Sequence, residues 1–380
     1  MRAPLALALA LAAVPTSARA DVSIGAAVGA GAQGAATYGA LDLRFDAVWR
    51  DVRIGLGARG VWDDAELRTR DWSGAGSLLT LVRELEAARE VGGIRLAVAA
   101  GGLAPAHVGH LVDGYRVALD DRFRTGVRVA AQRADDLDVS AELDDVLDPA
   151  LVALGGRYAM APPWAMHAAL AIDPRAPAMD GSHTVTAIEA GAERRWQADR
   201  ARLDLGVSVI AELSFGASAA AFADAAIERR GIRLTARADV CAGTGTAGSL
   251  FGPLYRIERL AHEGRASLWD RAQAGELDGA SAGFALGAAA SAGWLELGAR
   301  RRPGLGGLAF ASGGAPMGRW VQAGMWAALG TDDAAGAAEL RVAWAARLFS
   351  ALQAARIYRL DAMAPAAVWS VTAWFGATSR

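Results

Sequence analysis

The chain of 380 residues has one cysteine, Cys241, and no lysine or asparagine, so all 39 formal cations are arginines. A lone cysteine excludes an intramolecular disulfide framework. Missing asparagine removes the Ser-His-Asn set that a barrel phospholipase would need. Charge of one sign is also lacking: the formal net charge is −2, and nothing in it points to nucleic acid. Although 53% of residues are hydrophobic, no uncharged run of about 18 residues follows the N-terminus, so helical membrane spans are not expected. The Ala- and Gly-rich, Lys-free composition fits a GC-rich genome.

What is present begins with "MRAPLALALALAAVPTSARA". A basic Arg2, an apolar run from Leu5 to Val14 and Ala18-Arg19-Ala20 before Asp21 read as a secretory signal peptide over residues 1–20. The run is too short to span a bilayer as a helix, and no Cys follows the cleavage site to carry a lipid anchor. Residues 21–380 are read as one exported domain.

Within that domain the dominant pattern has a period of two. In "LDLRFDAVWRDVRIGLGARG" Leu41, Leu43, Phe45, Ala47 and Trp49 alternate with Asp42, Arg44, Asp46 and Arg50. The alternation resumes after Arg50-Asp51 as Val52, Ile54, Leu56 and Ala58 against Arg53 and Arg59. Similar runs cover 137–144, 202–215, 232–241 and 338–348. Side chains of a strand point alternately to opposite faces, so each run has one apolar and one charged face. A soluble sandwich would turn the apolar face inward, and a membrane barrel would turn it toward lipid. Run length decides. Sandwich strands average about five or six residues, membrane strands about nine to eleven, and these runs are of the longer kind.

Candidate strands fall near 22–31, 36–49, 52–62, 78–89, 93–101, 124–133, 137–145, 150–160, 164–173, 183–196, 201–214, 216–229, 231–241, 281–291, 293–302, 318–329, 337–349 and 366–377. Residues 252–260 and 352–360 are candidates for more. Residues 63–77, 102–123, 174–182, 242–280, 303–317 and 350–365 read as long connections, and most of the others are tight. The expectation is an all-β, antiparallel transmembrane β-barrel of about 18 strands, with a range of 16 to 20. The 12 tryptophans outnumber the 9 Phe and 5 Tyr. Trp49, Trp62, Trp164, Trp196, Trp294 and Trp320 fall near strand ends, as an interfacial girdle would place them. The final strand, through Trp369, Val371, Ala373 and Phe375, resembles the C-terminal assembly signal of outer-membrane barrels, though five residues follow Phe375.

Residues 71–129 break the hairpin rhythm. Val108-Gly109-His110-Leu111, Tyr115 and Arg124-Thr125-Gly126 resemble pieces of an uncharacterised family of outer-membrane barrel proteins of myxobacterial and spirochaete type. Leu111 stands where that family has a second glycine, and no Asn follows Tyr115. The resemblance covers about a sixth of the chain and implies fold and location without an activity.

Parity assigns a lumen of mixed sign: Asp42, Arg44, Asp46, Arg53, Arg59, Arg95, Arg128, Glu142, Asp204, Glu212, Arg233, Arg237, Asp239, Glu339 and Arg341. The segment 102–123, with His107, His110, Asp113 and Tyr115, is the candidate to fold inward and constrict it. His107, His110 and Asp113 at three-residue spacing would share a helix face and could hold a metal. Gly102, Pro105, Gly109 and Gly114 oppose a helix, so no metal and no cofactor are expected. A rim protease built from Asp63, Asp64 and His107 is a minor reading, because acidic pairs such as Asp144-Asp145 and Asp332-Asp333 are commonly solvated turn residues. No enzyme is expected.

The function expected is a passive pore or small-solute uptake channel in a Gram-negative outer membrane. The alternative is a structural or surface-exposed barrel with a closed lumen. The implied partners are the lipid bilayer with lipopolysaccharide, and the barrel-assembly machinery during biogenesis.

Overall fold

A computed structural model describes residues 21–63, 66–68, 75–116, 119, 123–134, 136–245, 250–261, 264–345, 347–359 and 366–379; the proposed signal peptide therefore lies outside the described residues. The strands are β1 Asp21–Gln33, β2 Ala36–Trp49, β3 Val52–Asp63, β4 Glu66–Leu67, β5 Val82–Val91, β6 Ile94–Gly101, β7 Ala106–Val108 and β8 Val112–Tyr115. They continue as β9 Gly126–Arg133, β10 Leu137–Leu143, β11 Val152–Ala161, β12 Trp164–Ala178, β13 Gly181–Ala198, β14 Ala201–Glu212, β15 Gly216–Arg229 and β16 Ile232–Gly243. The last are β17 Gly279–Ala290, β18 Gly293–Arg302, β19 Gly306–Pro316, β20 Val321–Gly330, β21 Ala334–Ala343, β22 Leu348–Arg359 and β23 Ala366–Thr378.

One antiparallel sheet holds 21 of these strands, and β7 with β8 form a separate pair. The two-residue β4 pairs only with the end of β3, so 20 strands circle the barrel. Closure is made by β1 against β23, with Gly25 opposite Thr378 and Gln33 opposite Ser370. Closure joins the two ends of the sheet, whose open edges backbone in lipid could not tolerate.

The period-two pattern sorts the faces. On β14, Leu203, Leu205, Val207 and Val209 are exposed outward, while Asp204, Ser208, Ile210 and Glu212 are buried inward. Outward Ile232, Leu234 and Val240 alternate with inward Arg237, Asp239 and Cys241 on β16 in the same way. An apolar band around the outside of a closed sheet is stable against lipid and costly in water. The fold is therefore a transmembrane β-barrel, with its charged faces turned to the interior.

One end of the barrel has only turns of two to four residues, at 50–51, 92–93, 134–136, 162–163, 199–200, 230–231, 291–292, 317–320 and 344–347. The long connections 64–81, 102–125, 144–151 and 244–278 all leave the other end. Trp49, Trp164, Trp196, Trp294, Trp320 and Trp344 sit at the short-turn end. Arg50, Arg194 and Arg319 lie over the rings of Trp49, Trp164 and Trp196, and Trp320 at 4.3–5.6 Å. Trp62 and Trp369 lie at the opposite end.

Several local expectations are corrected. Residues 303–317, read as a connection, contain β19, and the candidate strand at 352–360 is part of β22; together they bring the count to 20, the upper end of the expected range. β19, GGLAFASGGAP, has no charge to mark its inner face. Residues 174–182 hold a turn at 179–180 between long strands. Pro174 and Pro177 suggest a break, but a register shift between Asp173 and Ala176 absorbs them. The segment 78–89 is a 3-10 helix, Ala75–Leu81, running into β5. Residues 252–260 form a short helix, Tyr255–Glu258, and add no strand.

Candidate functional site: a lumen divided by an inward-folded plug

The two longest connections fold back into the barrel and meet there. The β7–β8 hairpin buries Ala106, Val108, Leu111, Val112 and Tyr115. The connection 244–278 buries Phe251, Leu254, Tyr255 and Ile257. Val112 bridges to Phe251, whose carbonyl accepts from the Asp113 amide at 3.2 Å and whose amide donates to the Leu111 carbonyl at 3.2 Å. Further along, the Leu119 carbonyl accepts from the Tyr358 amide on β22 at 2.9 Å. The plug thus reaches across the lumen, with its own apolar core.

Charged groups fasten it to the wall. Asp113 accepts from Arg237 of β16 at 2.8 Å, from Arg300 of β18 at 3.2 Å, and pairs with His107 at 3.2 Å. Burial alone would raise the Asp113 carboxyl. The hydrogen bond to His107 and the two guanidinium charges outweigh it and hold that carboxyl well below the usual range. Arg300 is also bidentate to Asp239, at 2.6 and 2.7 Å. Arg256 bonds Asp144 at 2.7 Å, and the Tyr115 hydroxyl donates to the same carboxylate. Arg259 binds Asp173 at 2.7 and 2.8 Å, while Arg302 holds Glu258 at 2.5 and 2.8 Å. Isolated buried charges would be costly, and pairing with hydrogen-bonded geometry offsets that cost.

The hairpin tip requires glycine. Gly109 has a φ of +55°, and a Cβ there would lie 2.3 Å from Glu189 Oε2 and 3.0 Å from Ala169 Cβ. Its closeness lets the His110 amide donate to Glu189 Oε2 at 2.7 Å. His110 Nδ1 lies 2.7 Å from Glu189 Oε1, and His167 Nε2 lies 3.2 Å from the same oxygen. The His110 ring packs on Phe222 with centroids 4.0 Å apart. Beneath the hairpin a cavity of about 230 Å³ is lined by His107, His110, Asp113, Arg157, His167, Glu193, Asp224, Arg237 and Arg300, among others.

The plug does not fill the lumen evenly. The wall from β9 to β18 presents buried pairs: Arg128–Glu142 at 2.6 Å, Arg195–Asp204 at 2.7 Å and Arg300–Asp239. Glu212 is also buried there. The wall of β2, β3 and β5 is wetter. Arg44 pairs with Asp46 and Glu84, Arg53 with Glu84, and Arg59 with Asp42. The side chains of Arg53 and Arg59 are 54% and 42% exposed. Arg53 stands near the short-turn end and Arg59 near the long-loop end, so solvated charge runs the length of that wall. Farther round the wall, beyond the β1–β23 closure, Glu339 accepts from Gln353 at 2.6 Å, and Arg341 lies 3.9 Å over the Phe349 ring. Arg95 and Arg233 are exposed close to the short-turn end.

Residues grouped by sequence spacing are thus regrouped by the fold. His107 and Asp113 meet across the hairpin, while His110 turns to Glu189. Asp63 ends β3, and Asp64 lies outside the described residues. Within the acidic pairs read as solvated turn residues, Asp332 is exposed, but Asp144, Asp145 and Asp333 are corrected: they are buried and bonded by Arg256, Arg124 and Arg265. His167, Glu189, Arg256 and Arg300 were not selected from the sequence. Parity marks Glu189 and Arg300 as inward; nothing local marks their partners.

No protein-family model matches the chain, and no curated protein matches it. Solved structures similar in shape include the outer membrane protein OpdK of Pseudomonas aeruginosa, at 10% identity and a TM-score of 0.39, covering 94% of this chain and 98% of that one. OccK9 (OpdG) of Pseudomonas aeruginosa is similar at 12% identity and a TM-score of 0.36, with coverage of 94% and 98%. OccAB4 of Acinetobacter baumannii is similar at 9% identity and a TM-score of 0.34, with coverage of 96% and 100%. The barrel assignment rests on this chain's own strand pairing.

Proposed function

We propose that this chain is an outer-membrane channel for passive uptake of small solutes, exported with loss of residues 1–20 and narrowed by its own inward-folded plug. The observation that carries the reading is the column of solvated charge from Arg53 to Arg59 along β2, β3 and β5, beside a plug that occupies the opposite side. Barrels of this size commonly leave an aqueous channel. Paired carboxylates and guanidinia of both signs favour small hydrophilic solutes with weak ion preference. The likeness of 71–129 to the myxobacterial and spirochaete barrel family supports the location and adds no activity.

The test is single-channel recording in planar bilayers, with heat-modifiable gel migration confirming a folded barrel. Wild type conducts with weak selectivity, and Arg53→Glu with Arg59→Glu shifts the reversal potential toward cation preference. A folded wild type that never conducts overturns the channel reading and favours the closed structural barrel.

A further inference from the structure

Most buried carboxylates of this lumen are faced by a guanidinium. Asp204, Asp239, Glu142, Asp173 and Glu258 are each answered by an arginine. Glu189, with a side chain 0% exposed, is faced instead by His110 and His167, and among the described residues no arginine pairs with it. A buried carboxylate needs a compensating cation. Here two imidazole rings stand where the other carboxylates have a guanidinium.

We propose that His110, His167 and Glu189 form a binding site for a divalent transition-metal ion of the zinc class. One ligand atom from each residue lies within 4.8 Å of the others. Tetrahedral ligands at about 2.0–2.1 Å from zinc stand about 3.3 Å from one another. The separations of 2.7 and 3.2 Å around Glu189 Oε1 need only a small opening to admit the ion. Two imidazoles and one carboxylate suit zinc, cobalt, nickel or copper rather than calcium or magnesium.

The ring nitrogens that face Glu189, His110 Nδ1 and His167 Nε2, both converge on one carboxylate oxygen, and the His167 side chain is only 9% exposed. The cavity of about 230 Å³ beside the triad leaves room for a fourth ligand, a water or a donor atom of a passing solute. The three ligands come from the hairpin, β12 and β13, so the ion would also pin the plug to the wall.

The probe is Co²⁺ added to untagged, chelator-treated barrel in detergent, with folding confirmed by heat-modifiable migration. One Co²⁺ per chain gives a visible d–d absorption band of low-symmetry four- or five-coordination, and Zn²⁺ abolishes it. The band is lost in His110→Ala, whose substitution lies in the plug outside the barrel strands, and in His167→Ala. His183→Ala, which removes a ring stacked on Trp269 and bonded to Asp180, leaves the band unchanged. No band in folded wild type, or a band that survives loss of His110 and His167, overturns the site. Conductance is a separate readout, so failure here leaves the channel reading standing.

Discussion

Replacing Val207 by Arg tests the face assignment on which the membrane fold depends. Val207 is the seventh residue of the 12-residue β14 and 61% exposed on the outside. Its cross-strand neighbours are Ala192 and Ala221, too small to shelter a guanidinium. At about 3.3 Å per residue and a tilt of about 40°, β14 spans roughly 30 Å along the barrel axis. Val207 then lies about 15 Å from either end, farther than an arginine side chain can reach to find headgroups. Arginine at the midplane of a barrel's lipid face costs about 2–4 kcal/mol, which is roughly a 30- to 700-fold loss in the folding constant. The control is Thr235→Arg, at an exposed inward position of β16. Ser208, although inward, is 4% exposed and would be overpacked by an arginine, so it is a poor control. The assay is equilibrium folding into lipid vesicles under denaturant, followed by tryptophan fluorescence and heat-modifiable migration. Equal destabilisation by Val207→Arg and Thr235→Arg would refute the reasoning.

Deleting residues 104–118 removes the β7–β8 hairpin, and single-channel conductance is expected to rise while heat-modifiable migration persists; unchanged conductance in a folded deletion would exclude a constricting role. Gly109→Ala sets a Cβ against Glu189 and the left-handed backbone against it, costs about 1–3 kcal/mol at the hairpin tip, and should raise conductance in the same direction, with wild-type values counting against the tip contact. Asp113→Ala leaves Arg237 with Asp224 and Arg300 with Asp239, so protease protection of the hairpin should fall by about 1–3 kcal/mol without loss of the barrel. In the wild type the Asp113 carboxyl is depressed in the folded state. Its contribution is present above the unfolded value of about 3.9 and lost as pH falls below it. In chelator-treated protein hairpin protection should therefore hold from neutral pH to about 4; a loss already complete well above that range would refute the Asp113 account.

The corrections have two physical origins. Strands announce themselves through charge on one face, so β19 and the Gly- and Ala-rich inner wall of β1 send a weak signal although their backbone pairing is complete. The acidic pairs misled for the opposite reason. Asp144 and Asp145 look like solvated turn residues until Arg256 arrives from a segment more than a hundred residues away.

The period-two alternation, the long runs and the strand-end tryptophans by themselves determined a membrane barrel with a charged interior, because each strand must satisfy lipid on one side in a pattern that local sequence carries. Even the inward parity of Asp42, Arg53, Asp204 and Asp239 is legible residue by residue. The tertiary structure alone decided which of those charges are solvated and which are sealed. That outcome depends on where two long connections go when they fold back. Their fit is made by Gly109 against Glu189, Asp113 between Arg237 and Arg300, and Val112 beside Phe251. Such contacts join distant segments through shape and charge compensation, which no local periodicity encodes. His110 is the clearest case: its spacing suggests His107 and Asp113 as companions, and the closed barrel gives it His167 and Glu189 instead.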